Sequence, residues 1–184
     1  MKKNIFLSIM ILFVNIILLS GQTDKDIKVF SDKKSSTITY SMSHPLHDWS
    51  GVSSDFKSVI VTDENKNVIK QVAVNVKISS FDSKNANRDS HCIEVTEALK
   101  YPDITFVSSD IKEDGDKLQV SGVLTFHNVK KNISFKAEKT KSKDGKLNVV
   151  GGFDVKLTDF DIEPPSLMGI ETKDNIKLDF NVVY

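Results

Sequence analysis

Strict alternation of apolar and polar residues runs through the chain from Ile38 onward and limits its fold more than any other feature. Ile38, Tyr40 and Met42 share one parity, as do Val72, Val74, Val76 and Ile78. The pattern returns in Leu118, Val120, Gly122, Leu124 and Phe126, and again in Ile133, Phe135 and Ala137. It continues through Leu147, Val149, Gly151, Phe153, Val155 and Leu157, and ends with Ile176, Leu178, Phe180 and Val182. Successive side chains of a strand point to opposite faces, so each run is a strand with one apolar and one wet side. Buried parallel strands would read as continuous apolar runs, so this division implies antiparallel sheet.

The punctuation agrees. "DENKN", "EDGDK", "FHNVKKN" and "KSKDGK" separate the runs, and Asp144-Gly145 is a hairpin signal. About eight strands fit between Ile38 and Val183. Many long strands with one apolar face must close on themselves or face a second sheet. Gly122 and Gly151 fall mid-strand on the apolar parity, where glycine permits bending and leaves room inside. These features favour an all-β, antiparallel barrel of eight strands over a flat sandwich. Eight strands is also the size at which a barrel can enclose one small ligand.

Two segments break the alternation. "RDSHCIEVTEALKYP" places Cys92, Val95, Ala98 and Leu99 at helical spacing, with Asp89 or Ser90 as cap and Pro102 beyond the end. This predicts one short helix from about His91 to Lys100, over an end or flank of the barrel. "DIEPPSLMGIETKDN" is an irregular connection whose Leu167, Met168 and Ile170 either fold onto the body or line an entrance.

The N-terminus reads differently. Lys2 and Lys3 precede an almost charge-free apolar run from Ile5 to Leu19, followed by small Ser20 and Gly21. Residues 1–21 are expected to be a signal peptide, which places the mature protein in the periplasm or outside the cell. Residues 22–36 are a polar lead-in, either loose or a short first strand, and residues 37–184 are the barrel domain. Cleavage removes two of the 25 basic residues and none of the 25 acidic ones, leaving a slight negative charge. Such a balance offers no attractive field for nucleic acid or an anionic membrane. Once the signal is removed, no stable membrane insertion is expected. Cys92 is the single cysteine, so no internal disulfide can form, and its place on the apolar stripe predicts a buried, inert thiol.

The stretch His44-Pro45-Leu46-His47-Asp48-Trp49-Ser50-Gly51 holds two of the four histidines and the only tryptophan. It is expected to be the turn after the first barrel strand. His44 and His47 have a spacing that zinc sites use, but His91, His127, Cys92 and the acids do not complete a ligand pattern around them. No metal or cofactor is expected. There is no Gly-x-Ser-x-Gly elbow, no phosphate loop and no Cys-x-x-Cys, and Asp159, Asp161 and Glu163 read as a charged connection. No catalytic residue is assigned.

The apolar parity therefore carries the functional reading. Tyr40, Met42, Phe106, Leu124, Phe126, Phe135, Phe153, Val155, Leu178 and Phe180 either fill a solid core or line a slot for a long apolar ligand. A slot gains affinity at about 0.8 kcal/mol per buried CH₂, with a few polar groups at its mouth fixing the head. His44, His47, Trp49, His91, Leu167 and Met168 are the candidates for that mouth.

Four stretches together resemble the YceI-like family of exported lipid- and polyisoprenoid-binding proteins: "STITYSMSHPLHDWSGVSSDF", "FDSKNANRDSHCIEVTEALKYPDITFVSSDI", "LQVSGVLTFHNVKKNISFKAE" and "FDVKLTDFDIEPPSLMGIETKDNIKLDFNV". The resemblance spans about Thr37 to Val183. By position, the family's strand histidine corresponds to His44, and its Arg-Asp-x-His run to Arg88, Asp89 and His91. Its Gly-x-Leu-Thr-x-His-x-Val-x-Lys run corresponds to Gly122, Leu124, Thr125, His127, Val129 and Lys131. Its late segment corresponds to Phe160, Ile162 and Pro165. Cys92 replaces a usually large residue, and Asp161 replaces a usual glycine. The resemblance implies a lipocalin-like, eight-stranded barrel whose interior holds a long isoprenoid or fatty lipid, for transport, storage or sequestration, in a monomer or homodimer. Two other readings stay open: a filled barrel serving as an interaction module, and a metal-dependent enzyme using His44 and His47.

Overall fold

The computed structural model describes residues 25–167 and 169–184. The signal peptide expected at 1–21, the first residues of the lead-in, Met168 and the side chain of Leu167 lie outside that description. The elements are β1 (Ile27–Phe30), β2 (Thr37–His44), β3 (His47–Ser53), β4 (Phe56–Thr62), β5 (Ile69–Lys77) and α1 (Ala86–Val95). They continue with β6 (Asp103–Asp114), β7 (Lys117–Phe126), β8 (Val129–Lys141), β9 (Leu147–Lys156), β10 (Ser166–Leu167), β11 (Ile170–Glu171) and β12 (Asn175–Val183).

One curled antiparallel sheet of ten strands, in the order β1-β4-β5-β6-β7-β8-β9-β12-β2-β3, forms the body, and β10 and β11 make a separate small hairpin. The apolar parities converge inside. Leu118, Val120, Leu124 and Phe126 are buried along β7, as are Ile176 and Val182 along β12. The sheet contains two strands beyond the eight expected. One is β1, drawn from the lead-in: Ile27 to Phe30 pair with Thr62 to Val59. The other is β3, from the stretch expected to be a turn. Only Pro45 and Leu46 turn there, and His47 already faces His44 across the hairpin. Proline at the first turn position and a following exposed leucine satisfy the reversal, which frees the rest to pair.

Residues 31–36 bridge β4 and β12 without forming a ladder. Ser31 N–H donates to Ser58 O (2.9 Å), Asp32 N–H to Val183 O (2.7 Å), and Val183 N–H to the Ser36 hydroxyl (3.0 Å). Glycine does what its mid-strand placement predicted. Gly122 lies opposite Ser108, where β6 shifts register before Asp110.

The helix starts earlier than its apolar spacing suggests. Asn85 caps it by accepting from Arg88 N–H (3.2 Å), and it ends at Val95 instead of Lys100. Glu97 adopts a left-handed backbone (φ 46°), so the chain turns away and leaves Leu99 94% exposed while Ala98 is buried. The first turn is polar, which hid it from an apolar periodicity.

Loop 63–68 crosses the lower end of the barrel. Asp63 organises it, its carboxylate accepting from Asn67 N–H (2.5 Å) and Val68 N–H (3.1 Å). Lys139 and Lys141 of β8 reach across to Asn67 O and Asn65 O, and Lys66 donates to Tyr184 O (3.3 Å). Glu113 pairs with Lys139 and accepts from Ile69 N–H (2.7 Å), and both side chains are largely buried. α1 lies over the opposite end.

Candidate ligand-binding cavity

The barrel interior is not filled. Two apolar chambers lie within it, a lower one of about 130 Å³ and an upper one of about 110 Å³. Ile60, Ile69, Val182 and Tyr184 border the lower chamber near loop 63–68. No residue of its wall is exposed at the outer surface. Phe81, Ile104, Leu124 and Leu178 border both chambers and form a waist between them.

Glycines keep aromatic rings against the wall and out of the lumen. Tyr40 pairs directly with Gly51, and a Cβ built on Gly51 would meet Tyr40 Cε1 at 2.4 Å. Phe180 pairs with Gly151 in the same way, at 2.6 Å, and Phe106 lies over Gly122, also at 2.6 Å. Each ring occupies the space a side chain would have taken. Phe106, Phe135, Phe153 and Phe180 then form one aromatic band, with Phe135 stacked on Phe153 at 4.9 Å and edge-on to Phe180 at 5.7 Å. Phe135, Phe153, Leu178 and Phe180 remain only partly buried although they point inward, because their free surface borders the lower chamber.

The upper chamber mixes wall and rim. Tyr40, Met42, Phe126 and Val155 supply apolar wall, while Trp49, Arg88 and His91 bring polar groups to it. Arg88 lies over the Trp49 ring, its guanidinium carbon 5.6 Å from the ring centre. Burial pushes the Tyr40 phenol up to about 12, and it does the same to the Cys92 thiol, to about 11 with help from the Asp89 charge. Cys92 is half-buried beside this chamber rather than fully buried, and it stays a thiol at neutral pH.

The sequence-derived candidates thus divide. Phe106, Phe135, Phe153 and Phe180 border the lower chamber, Leu124 and Leu178 the waist, and Tyr40, Met42, Trp49, His91, Phe126 and Val155 the upper chamber. His44 and His47 border neither. His44 is buried with both ring nitrogens engaged: Leu46 N–H donates to Nδ1 (3.1 Å), so Nε2 carries the proton and donates to Ile170 O (3.1 Å). It pins the β10–β11 hairpin to the β2–β3 turn. His47 is exposed and packs on Trp49 at 5.4 Å. Among the described residues, no three His, Cys, Asp or Glu side chains converge as metal ligands.

Sequence reasoning missed Phe81 and Ile104, and it named Arg88 in the Arg-Asp-x-His run without assigning it to the chamber. Phe81 follows a short helical turn at Ile78–Ser80, outside any alternating run, so no periodicity marked it. Ile104 shares the parity of Phe106 and could have been found. His127 of the resemblance is a fastener: its Nδ1 bonds Phe160 O and its Nε2 bonds Glu97, both at 2.9 Å. It ties the β7–β8 hairpin to the segment carrying buried Phe160 and Ile162 and to the helix exit.

Residues 31–184 match the YceI-like domain. The chain belongs to the YceI-like family. It is 30% identical to protein YceI of Escherichia coli O157:H7 over 149 residues, 75% of this chain and 76% of that one. Its YceI-like fold is similar to that of BcnA from Burkholderia cenocepacia, with a TM-score of 0.74 and 19% identity, covering 84% of this chain and 99% of the other. It is also similar to a polyisoprenoid-binding domain from Saccharophagus degradans implicated in plant cell wall breakdown, with a TM-score of 0.69 and 14% identity over 84% of this chain and 97% of that domain. The YceI-like barrel is therefore common to proteins of very different sequence.

Proposed function

We propose that the protein is a non-catalytic carrier that takes the tail of an isoprenoid or other long-chain lipid into its barrel. The observation that carries this reading is the pair of adjoining apolar chambers, which meet at the Phe81, Ile104, Leu124 and Leu178 waist. An interior packed solid by its own side chains would leave neither. A tail reaching from the Trp49 rim through the waist buries about 0.8 kcal/mol per CH₂. Membership of the YceI-like family and the likeness to a polyisoprenoid-binding domain support the ligand class. The lysines and apolar run at the N-terminus support export to the periplasm or beyond, where the carrier transports, stores or sequesters its lipid as a monomer or homodimer.

The test is mass spectrometry of an organic extract of the protein purified from its own host. A long-chain isoprenoid or fatty lipid in stoichiometric amount is expected. Protein that releases no hydrocarbon and takes up none when offered it would end this reading.

A further inference from the structure

The rim of the upper chamber holds a cation, Arg88, that forms no ion pair among the described residues. Arg88 sits in the first turn of α1, where two contacts fix its backbone: Asn85 accepts from Arg88 N–H, and Asp89 accepts from Ser83 N–H (3.1 Å). The Arg88 side chain is half-buried at the chamber wall, over Trp49. Among the described residues its only hydrogen bond is a long one from Nη1 to Ser83 O, at 3.4 Å, and no carboxylate stands within ion-pair distance of it. A guanidinium carries five N–H donors, so most of its capacity is unused. The neighbouring carboxylates are otherwise engaged. Asp89 holds Ser83 N–H, though its charge still reaches Cys92, and Glu94 lies 3.5 Å from His91 Nδ1 with its side chain largely exposed. The His91 ring adds a second polar group to this rim, around a chamber whose remaining wall is largely apolar.

Resting on the carrier reading, we infer that Arg88 selects lipids with an anionic head, a carboxylate or a phosphate, and holds that head at the rim while the tail fills the barrel. The planar fork of Arg88 suits two-point contact with either group, and the Trp49 face restricts its motion beforehand. Partial burial keeps the pair from full screening by salt. Neutral alcohols with the same tail gain the apolar term only.

The experiment compares three ligands that share one tail, geranylgeranoic acid, geranylgeranyl phosphate and geranylgeraniol. Binding to the full purified protein is read by calorimetry and by the fluorescence of Trp49, the sole tryptophan. The acid or the phosphate should bind at least about tenfold tighter than the alcohol, as one charge-assisted contact provides. Whichever anion shows that gain identifies the head. Arg88→Gln should abolish the difference between anion and alcohol, and Arg88→Lys should keep part of it. Raised salt should narrow the gap in the native protein and not in Arg88→Gln. Equal affinity for anions and alcohol, or an Arg88→Gln protein that weakens all three alike, would overturn the inference and leave the carrier intact. If none of the three binds, the carrier reading fails and the inference with it.

Discussion

Replacing Gly51 by alanine tests whether the interior is an open receptacle kept clear by glycines. The new Cβ would lie 2.4 Å from Tyr40 Cε1, 2.9 Å from Cζ and 3.0 Å from the hydroxyl oxygen, and these three nearest atoms all belong to one side chain. Ordinary contact begins at 3.4 Å, so the ring must move by about 1 Å. It lies between β3 and the upper chamber, and the chamber is where it can go. Because a side chain rather than backbone gives way, the fold should lose about 1 kcal/mol, the low end for overpacking. Binding should suffer more. A ring displacing about two methylenes of a bound tail removes about 1.6 kcal/mol, or about fifteenfold in Kd. Titration of Trp49 fluorescence with geranylgeraniol measures this, and a urea melt measures stability. Adding Tyr40→Leu removes the intruding ring, so the double variant should regain most of the affinity. A folded Gly51→Ala protein with native affinity, or a double variant that stays impaired, would refute the reasoning.

Three further outcomes are expected. Asp161 holds a left-handed backbone (φ 56°) that glycine adopts freely, so Asp161→Gly should stabilise by about 0.5–1 kcal/mol and raise Tm by about 2–3 °C in calorimetry. Lys139→Met leaves the largely buried Glu113 carboxylate without its cation and should cost about 3 kcal/mol in urea unfolding, whereas Lys139→Met with Glu113→Gln should recover most of it, since the neutral amide's oxygen still accepts from Ile69 N–H. Burial raises the Tyr40 and Tyr184 phenols from 10.0 to about 12, so the folded state holds those protons where the unfolded state releases them. Their contribution is complete below pH 10 and is lost as the pH rises from 10 towards 12, so stability should fall over that window, less steeply in Tyr184→Phe.

The apolar parity told inside from outside for most barrel strands because alternation is a direct image of strand geometry. It could not distinguish a filled core from a hollow one: Phe135 and Phe180 look the same in sequence whether they touch each other or a ligand. The difference lies in Gly51 and Gly151, directly opposite Tyr40 and Phe180, and pairing across strands is invisible without register. Strand β3 was hidden because His47, Asp48 and Trp49 carry loop chemistry, yet their partners on β2 impose the extended form. The rim depended on α1, whose start rests on a single Asn85 side chain. Arg88 belonged to a recognisable motif, but its missing partner is a property of three-dimensional space. His44 and His47 suggested a shared role by spacing, and opposite hairpin positions gave them separate ones.

Loop 63–68, laced down by three lysines, makes the lower end a floor. On the proposed carrier reading, a guest that came in tail-first would back out past α1, so its head, last to arrive, would be first to leave. Loading and delivery would then share one doorway, and donor and recipient would have to take turns there. Congestion at that threshold, more than the depth of the room behind it, would then govern how fast cargo changes hands.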